Sequence, residues 1–254
     1  MISVVLVGTG NVAQNLFQAL ERTAHVKIEQ VIGRNPEHLT FAKSKAPINS
    51  NFDAIPKADI YILAVSDAAI STVAEKFRDL NGLVVHTSGA TSIQALKHCR
   101  NYGVFYPLQT FTKGKIISFQ DIPICLELHK ENDCELLHSL GESLSNNVQF
   151  INSEERKSLH IAAVFVNNFT NYMYTIGEEI CTEKGIDFKL LIPLIKETAN
   201  KLDVLSPLKA QTGPAIRGDQ NTLHNHLKNI KNKQQREIYT LLSNAIKNTH
   251  GEKL

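Results

Sequence analysis

From residue 2 to about 152, short apolar runs alternate with stretches of helical spacing. Ile2–Val7 reads as a strand buried on both faces, of the kind that helices cover on either side of a parallel sheet. Asn11–Glu21 follows with Val12, Leu16, Ala19 and Leu20 at helical spacing. Val26–Ile32, Asp59–Val65 and Leu83–Thr87 read as further strands. Pro36–Lys45, Asp67–Leu80 and Ser92–Arg100 read as the helices between and after them, Pro36 standing at a first turn where proline is tolerated. Weaker signals mark Ile122–Leu128 and Val148–Ile151 as strands and Glu131–Ser145 as a helix. This alternation predicts a doubly wound, mostly parallel α/β sheet of the Rossmann kind over residues 1–152.

After Asn152 the strand signals stop. Ser153 is the expected N-cap of a long helix, with Glu154 and Glu155 suiting its positive end. The helix is expected to run to about Lys184, with Gly185 as C-cap. Asp187 should cap Phe188–Leu202, which Pro193 should kink or split. Asp219–Leu227 and Gln234–Lys247 read as two closing helices, so 153–254 forms a smaller all-helical domain. Leu159–Ile180 is apolar nearly all round, which predicts burial in a core or an oligomer interface. It nevertheless carries His160, Asn167, Asn168 and Asn171. At about 100° per residue, Asn167 and Asn171 fall within about 20° of His160 and Asn168 about 80° away. Such a stripe needs hydrogen-bond partners, either as an internal network or as the lining of a cleft.

Composition narrows the function classes. The chain has 254 residues and a formal net charge of +2, which argues against a dedicated nucleic-acid or membrane-surface binder. The four cysteines, Cys99, Cys125, Cys134 and Cys181, have neither CxxC spacing nor a histidine partner at zinc-finger distance. They read as free thilos in a reducing compartment, with no metal site. The start of the chain lacks the basic segment and cleavage site of a secretory signal, so a cytoplasmic location is expected.

The most specific chemistry lies at residues 8–13. Gly8, Thr9, Gly10, Asn11, Val12 and Ala13 form a GxGxxA motif between a strand and a helix. The first glycine permits the tight turn and the second lets the backbone approach a pyrophosphate. The small third residue allows close helix–strand packing, and the helix N-terminus supplies N–H groups to the phosphates. At the end of the second strand, where a carboxylate would bind an NAD ribose, stand Arg34 and Asn35. A guanidinium there suits a 2′-phosphate, so NADP(H) is the expected cofactor. Ala64, Val65 and Ser66 end another strand with small residues that leave room for the adenosine-ribose side of a dinucleotide. His86 and Ser88 end the next, where the nicotinamide should lie. Ser88 as the start of a turn, with His86 packed beneath it, is an equal alternative.

The segments GTGNVA at 8–13, GRN at 33–35, AVSD at 64–67 and HTSGA at 86–90 carry a family resemblance. So do FYPLQTF at 105–111, LHIAAVFVNNF at 159–169 and TGPAIRGD at 212–219. Over essentially its full length, the chain resembles bacterial proteins that join a Rossmann-like NADP domain to a helical domain of unknown function, DUF2520. They belong to the wider 6-phosphogluconate-dehydrogenase-like superfamily. The resemblance implies an NADP-dependent oxidoreductase, with pyrroline-carboxylate reductases, β-hydroxyacid dehydrogenases and prephenate dehydrogenases as more distant relatives. Where the hydroxyacid enzymes carry a lysine and, one turn later, an asparagine, this chain has His160 and Val164. Arg217 stands where it could bind an acidic substrate, bridge subunits, or simply neighbour an Asp219 helix cap.

These readings converge on hydride transfer between NADPH and a small, acidic C=O or C=N substrate beside Tyr106-Pro107 and the 160–168 helix face. His160 is the expected proton donor, Asn168 the group that positions substrate, and Ser88 and His86 their companions near the nicotinamide. The alternative is a non-catalytic NADP(H) sensor. A homodimer formed through the helical domain is expected, because that domain is small for so apolar a helix.

Overall fold

The computed structural model describes residues 1–251 and divides into two compact units, Met1–Asn167 and Asn168–Leu254. Residues 252–254, which the expected helical domain includes, lie outside the described residues.

The first unit is built on eight strands. They are β1 (Ile2–Val7), β2 (Val26–Ile32), β3 (Ile48–Asn49), β4 (Ile60–Leu63), β5 (Leu83–His86), β6 (Asn101–Pro107), β7 (Ile124–Leu128) and β8 (Val148–Phe150). Their order in the sheet is β3-β2-β1-β4-β5-β6-β7-β8. All neighbours are parallel except β6 and β7, which pair antiparallel. Opposite faces feed two cores. One gathers Val4, Leu6, Leu16, Phe17, Ile60, Phe105 and Leu126, and the other gathers Val5, Val7, Phe77, Val84, Leu96 and Val104. Alternate residues of one strand thus serve both faces, which explains the continuous apolar runs.

The helices of this unit are shorter than their sequence pattern predicts. Only α1 (Asn11–Glu21) keeps its expected length. Pro36–Lys45 forms one 3₁₀ turn, Pro36–Leu39, because Leu39 and Ala42 already reach the core and the chain then returns as β3. Asp67–Leu80 breaks into two 3₁₀ turns around α2 (Ile70–Ala74), a segment rich in β-branched residues that lower helix propensity. Ser66 occupies the cap position. Ser92–Arg100 keeps only a 3₁₀ turn, Ile93–Leu96, which the Ser92 hydroxyl caps. A last 3₁₀ turn leads into α3 (Cys134–Glu142). β6 has no counterpart among the predicted strands.

The long helix is three segments. α4 (Ser153–Ala163) is followed by a π-helical turn, Val164–Phe169, and by α5 (Thr170–Glu183). Its N-cap is Asn152 rather than Ser153. The Asn152 side chain accepts from the N–H groups of Glu154 and Glu155, and Glu155 accepts from the Asn152 N–H, a complete capping box. The unit boundary falls inside the π turn.

In the second unit, Gly185 takes a left-handed φ of +68° just beyond the end of α5. Asp187 caps a 3₁₀ turn, and Pro193 sits in the first turn of α6 (Ile192–Asn200), so the predicted helix is split there. α7 (Pro207–Ala210), α8 (Gln220–Asn229, capped by Asp219) and α9 (Lys233–Gly251) follow. Gln235 is buried and donates to Glu179 at 2.7 Å. No helix among the described residues is long and apolar enough to cross a membrane.

Candidate active site

Register brings the ends of β1, β4 and β5 level with one another and with Val104 inside β6. Val7 of β1 lies opposite Leu63 of β4, Leu63 opposite His86 of β5, and His86 opposite Val104 of β6. The segments that follow therefore leave one edge of the sheet together: Gly8–Asn11, Ala64–Ser66, Thr87–Thr91 and Tyr106–Pro107. Ligands of open α/β sheets bind at this carboxyl edge.

The glycine turn is shaped for a dinucleotide phosphate. Gly8 has φ +131°, and a Cβ there would lie 2.1 Å from the Ala64 carbonyl oxygen and 3.4 Å from Ala13 Cβ. The first glycine and the small third residue are thus fixed by contact. A Cβ at Gly10 would meet nothing within 4 Å, and Gly10 is exposed at the start of α1. That open cradle in front of unpaired helix N–H groups fits a pyrophosphate. The Asn11 side chain donates to the Phe111 carbonyl at 2.9 Å, and Asn15 accepts from Ile117 N–H at 3.2 Å. These two bonds lay the loop after β6 along α1. Gln14 holds the Thr9 carbonyl at 3.0 Å.

Arg34 is exposed just past β2. Asn35 beside it uses its side chain to accept from Glu37 N–H at 3.0 Å. Gly33 admits no side chain, since its Cβ would lie 2.3 Å from Thr9 Cγ2. The Arg34 turn and the glycine turn are therefore packed together. Ser66 is exposed and Ala64 is buried against Gly8.

At β5, His86 is fully buried and its Nδ1 accepts from the Ser88 N–H at 3.2 Å. Among the described residues its Nε2 has no hydrogen-bond partner. Burial, reinforced by the Arg156 charge and opposed only by the Ser92 backbone, pulls its pKa down to about 4, so the ring is neutral. The Ser88 hydroxyl accepts from Ala90 and Thr91 N–H and pairs with the Thr91 hydroxyl at 3.0 Å. Both side chains are thus engaged in shaping the 87–91 loop.

A buried arginine fastens that loop. Arg156, in the first turn of α4, has a fully buried side chain. It meets Glu127 of β7 at 2.5 Å, the Thr91 carbonyl at 2.6 Å and the Ser88 carbonyl at 3.3 Å. Ser153 donates to the same Glu127 at 2.7 Å. Sequence reasoning missed this cluster, because Arg156 follows two glutamates and resembles a solvated helix start. The available signal was Glu127, a carboxylate inside an otherwise apolar strand.

One turn further along α4, His160 is half-buried. Its Nδ1 lies 3.2 Å from the Tyr106 hydroxyl, and the two rings meet edge to face at 6.2 Å. A Cβ at Gly89 would lie 2.6–2.8 Å from Tyr106 Cζ, His160 Nδ1 and Tyr106 Oη. Gly89 is thus the residue that lets the loop close on this pair. Asn168 is exposed in the π turn and begins the second unit. The π turn also removes the uniform 100° step on which the predicted His160–Asn stripe depended.

Comparisons with known proteins follow this geometry. Residues 3–87 match the family model "NADP oxidoreductase coenzyme F420-dependent", and residues 122–246 match the domain of unknown function DUF2520. No curated protein matches the chain. The crystal structure of the "putative NADP oxidoreductase BF3122" of Bacteroides fragilis is 38% identical over 97% of this chain and 98% of its own, with a TM-score of 0.90. Protein TM1727 of Thermotoga maritima is 22% identical over 98% and 99%, with a TM-score of 0.75. An imine reductase of Myxococcus stipitatus, in complex with NADP+, is 16% identical over 98% and 93% at a TM-score of 0.67, a likeness of fold. The glycine cradle, the arginine past β2 and the full-length match thus agree, and the chain belongs to the family of NADP oxidoreductases that carry a C-terminal DUF2520 domain.

Proposed function

We propose that this oxidoreductase reduces a small C=O or C=N compound, with His160 as the proton donor. The observation that carries the reading is the level register of the ends of β1, β4 and β5, with the glycine cradle after β1 and Tyr106 of β6 paired with His160. Gly8–Ala13 hold the pyrophosphate, Arg34 and Asn35 the 2′-phosphate, and Ala64–Ser66 the ribose side. NADPH, when bound, supplies the hydride. His160 then protonates the oxygen or nitrogen that gains charge, Asn168 positions the substrate, and His86 and Ser88 hold the loop in shape. Arg217 is the proposed partner of an acidic substrate.

NADPH oxidation against oxo acids, imines and aldehydes, followed by absorbance, tests the reading. His160→Ala should lower turnover about 100-fold or more while NADPH affinity stays near normal; undiminished turnover would remove His160 from the mechanism. Arg34→Asp should weaken NADPH about 10- to 100-fold and leave NADH affinity unchanged or improved. Equal losses for both cofactors would unseat Arg34 as the 2′-phosphate ligand. Tight NADPH binding with no oxidation across the panel would favour a redox sensor instead.

A homodimer belongs to the same reading. Leu190, Leu194, Val204 and Leu241 of the helical unit are 62–82% exposed, more apolar surface than a monomer ordinarily leaves in water. The four free cysteines suit a cytoplasmic enzyme.

A further inference from the structure

We propose that Tyr106 is a positioning residue that decides which nitrogen of His160 carries the proton. The inference rests on the catalytic reading of His160 for its purpose, but not for its geometry. Tyr106 is the next-to-last residue of β6, is 8% exposed, and has its hydroxyl 3.2 Å from His160 Nδ1. That contact is the only hydrogen bond found for the phenol among the described residues. Burial pushes the Tyr106 phenol up to about 12, so it keeps its proton at neutral pH. A buried hydroxyl with one neighbour gives its proton to that neighbour when the neighbour can accept. Nδ1 is therefore the acceptor, and in the neutral ring Nε2 carries the hydrogen.

The loop enforces the arrangement. A Cβ at Gly89 would lie 2.7 Å from His160 Nδ1 and 2.8 Å from Tyr106 Oη, so the loop leaves room for no side chain against the pair. The loop is in turn tied through the Ser88 and Thr91 carbonyls to Arg156, one helical turn before His160. Phenol, imidazole and loop thus have one mutual arrangement.

A ring held this way donates from Nε2 and cannot accept there, so it serves reduction. As the Nε2 proton passes to the developing alkoxide or amide anion, the phenol proton passes to Nδ1. The ring stays neutral, and the phenolate left on Tyr106 regains its proton from water. The transfer runs downhill, because an alkoxide is a stronger base than a phenolate even when that phenol has been raised to about 12.

Nitrogen-15 histidine spectra of the intact protein test this, with His160→Gln identifying the His160 resonances. Expected are an unprotonated, hydrogen-bonded Nδ1 and a protonated Nε2 at pH 8. In Tyr106→Phe, both His160 resonances should shift toward the averaged positions of a ring whose proton exchanges between Nδ1 and Nε2. A proton on Nδ1 in the wild-type protein would overturn the proposal, even if the variant failed to fold. Unmoved His160 resonances in a folded Tyr106→Phe would overturn it too. Undiminished turnover in His160→Ala would instead defeat the catalytic reading and leave the tautomer result standing.

Discussion

His86 shows how one side chain can bind stability to pH. Its ring is neutral in the folded protein, with a pKa near 4 against 6.5 for the free side chain. The unfolded chain takes up a proton on this ring below about pH 6.5, and the folded chain resists until about pH 4. Stability is therefore fully present above pH 6.5 and is lost as pH falls through that window. By linkage the loss at pH 5 is about 2 kcal/mol. Urea unfolding at pH 7 and pH 5 should show that His86→Gln loses about 2 kcal/mol less than the wild type over this interval. An equal loss would mean that the ring is not held neutral. At the same scale, Gly8 and Gly89 are fixed by neighbouring atoms rather than by chain flexibility. The requirement at Gly8 was legible in the motif. The one at Gly89 was not, since its partners Tyr106 and His160 stand 54 residues apart.

Elements join here through a single buried charge pair. Arg156 fastens α4 to β7 through Glu127 and to the 87–91 loop through two carbonyls. Breaking a buried pair from one side strands the other charge, at a cost of about 3–5 kcal/mol. Arg156→Ala should lower the unfolding free energy by about that amount in denaturant titration, and an effect below about 1 kcal/mol would show the pair to be dispensable. β1, β4 and β5 were legible in the sequence because their residues are apolar on both faces of a covered sheet, and β2 because Val26, Ile28 and Val31-Ile32 keep a strand pattern around polar residues. β6 escaped because Asn101-Tyr102-Gly103 breaks the apolar run, and its pairing with β7 is set by distant chain. Short helices were over-read, since apolar spacing does not record where a segment has already reached the core. The π turn at Val164–Phe169 left no mark at all in a run of good helix spacing.

At the scale of the molecule, the helical unit leaves several large apolar side chains in water. Leu241 on α9 is 69% exposed. Sedimentation velocity should find a dimer, and Leu241→Glu should shift it toward monomer; a wild-type monomer at micromolar concentration would refute the pairing. Strand signals cease near residue 152, whereas the compact units divide later, at Asn167–Asn168, because α4 belongs with the sheet that Arg156 ties it to. The close fit of Gly33 on Thr9 has a consequence for anyone who would run this enzyme on the cheaper cofactor NADH. A carboxylate at position 34 is the obvious substitution, but position 33 has no tolerance to lend. A side chain added there would strike Thr9, in the turn proposed to cradle the pyrophosphate. With Arg34 as the proposed 2′-phosphate ligand, redesign of cofactor choice must begin there and work outward along the chain, never inward.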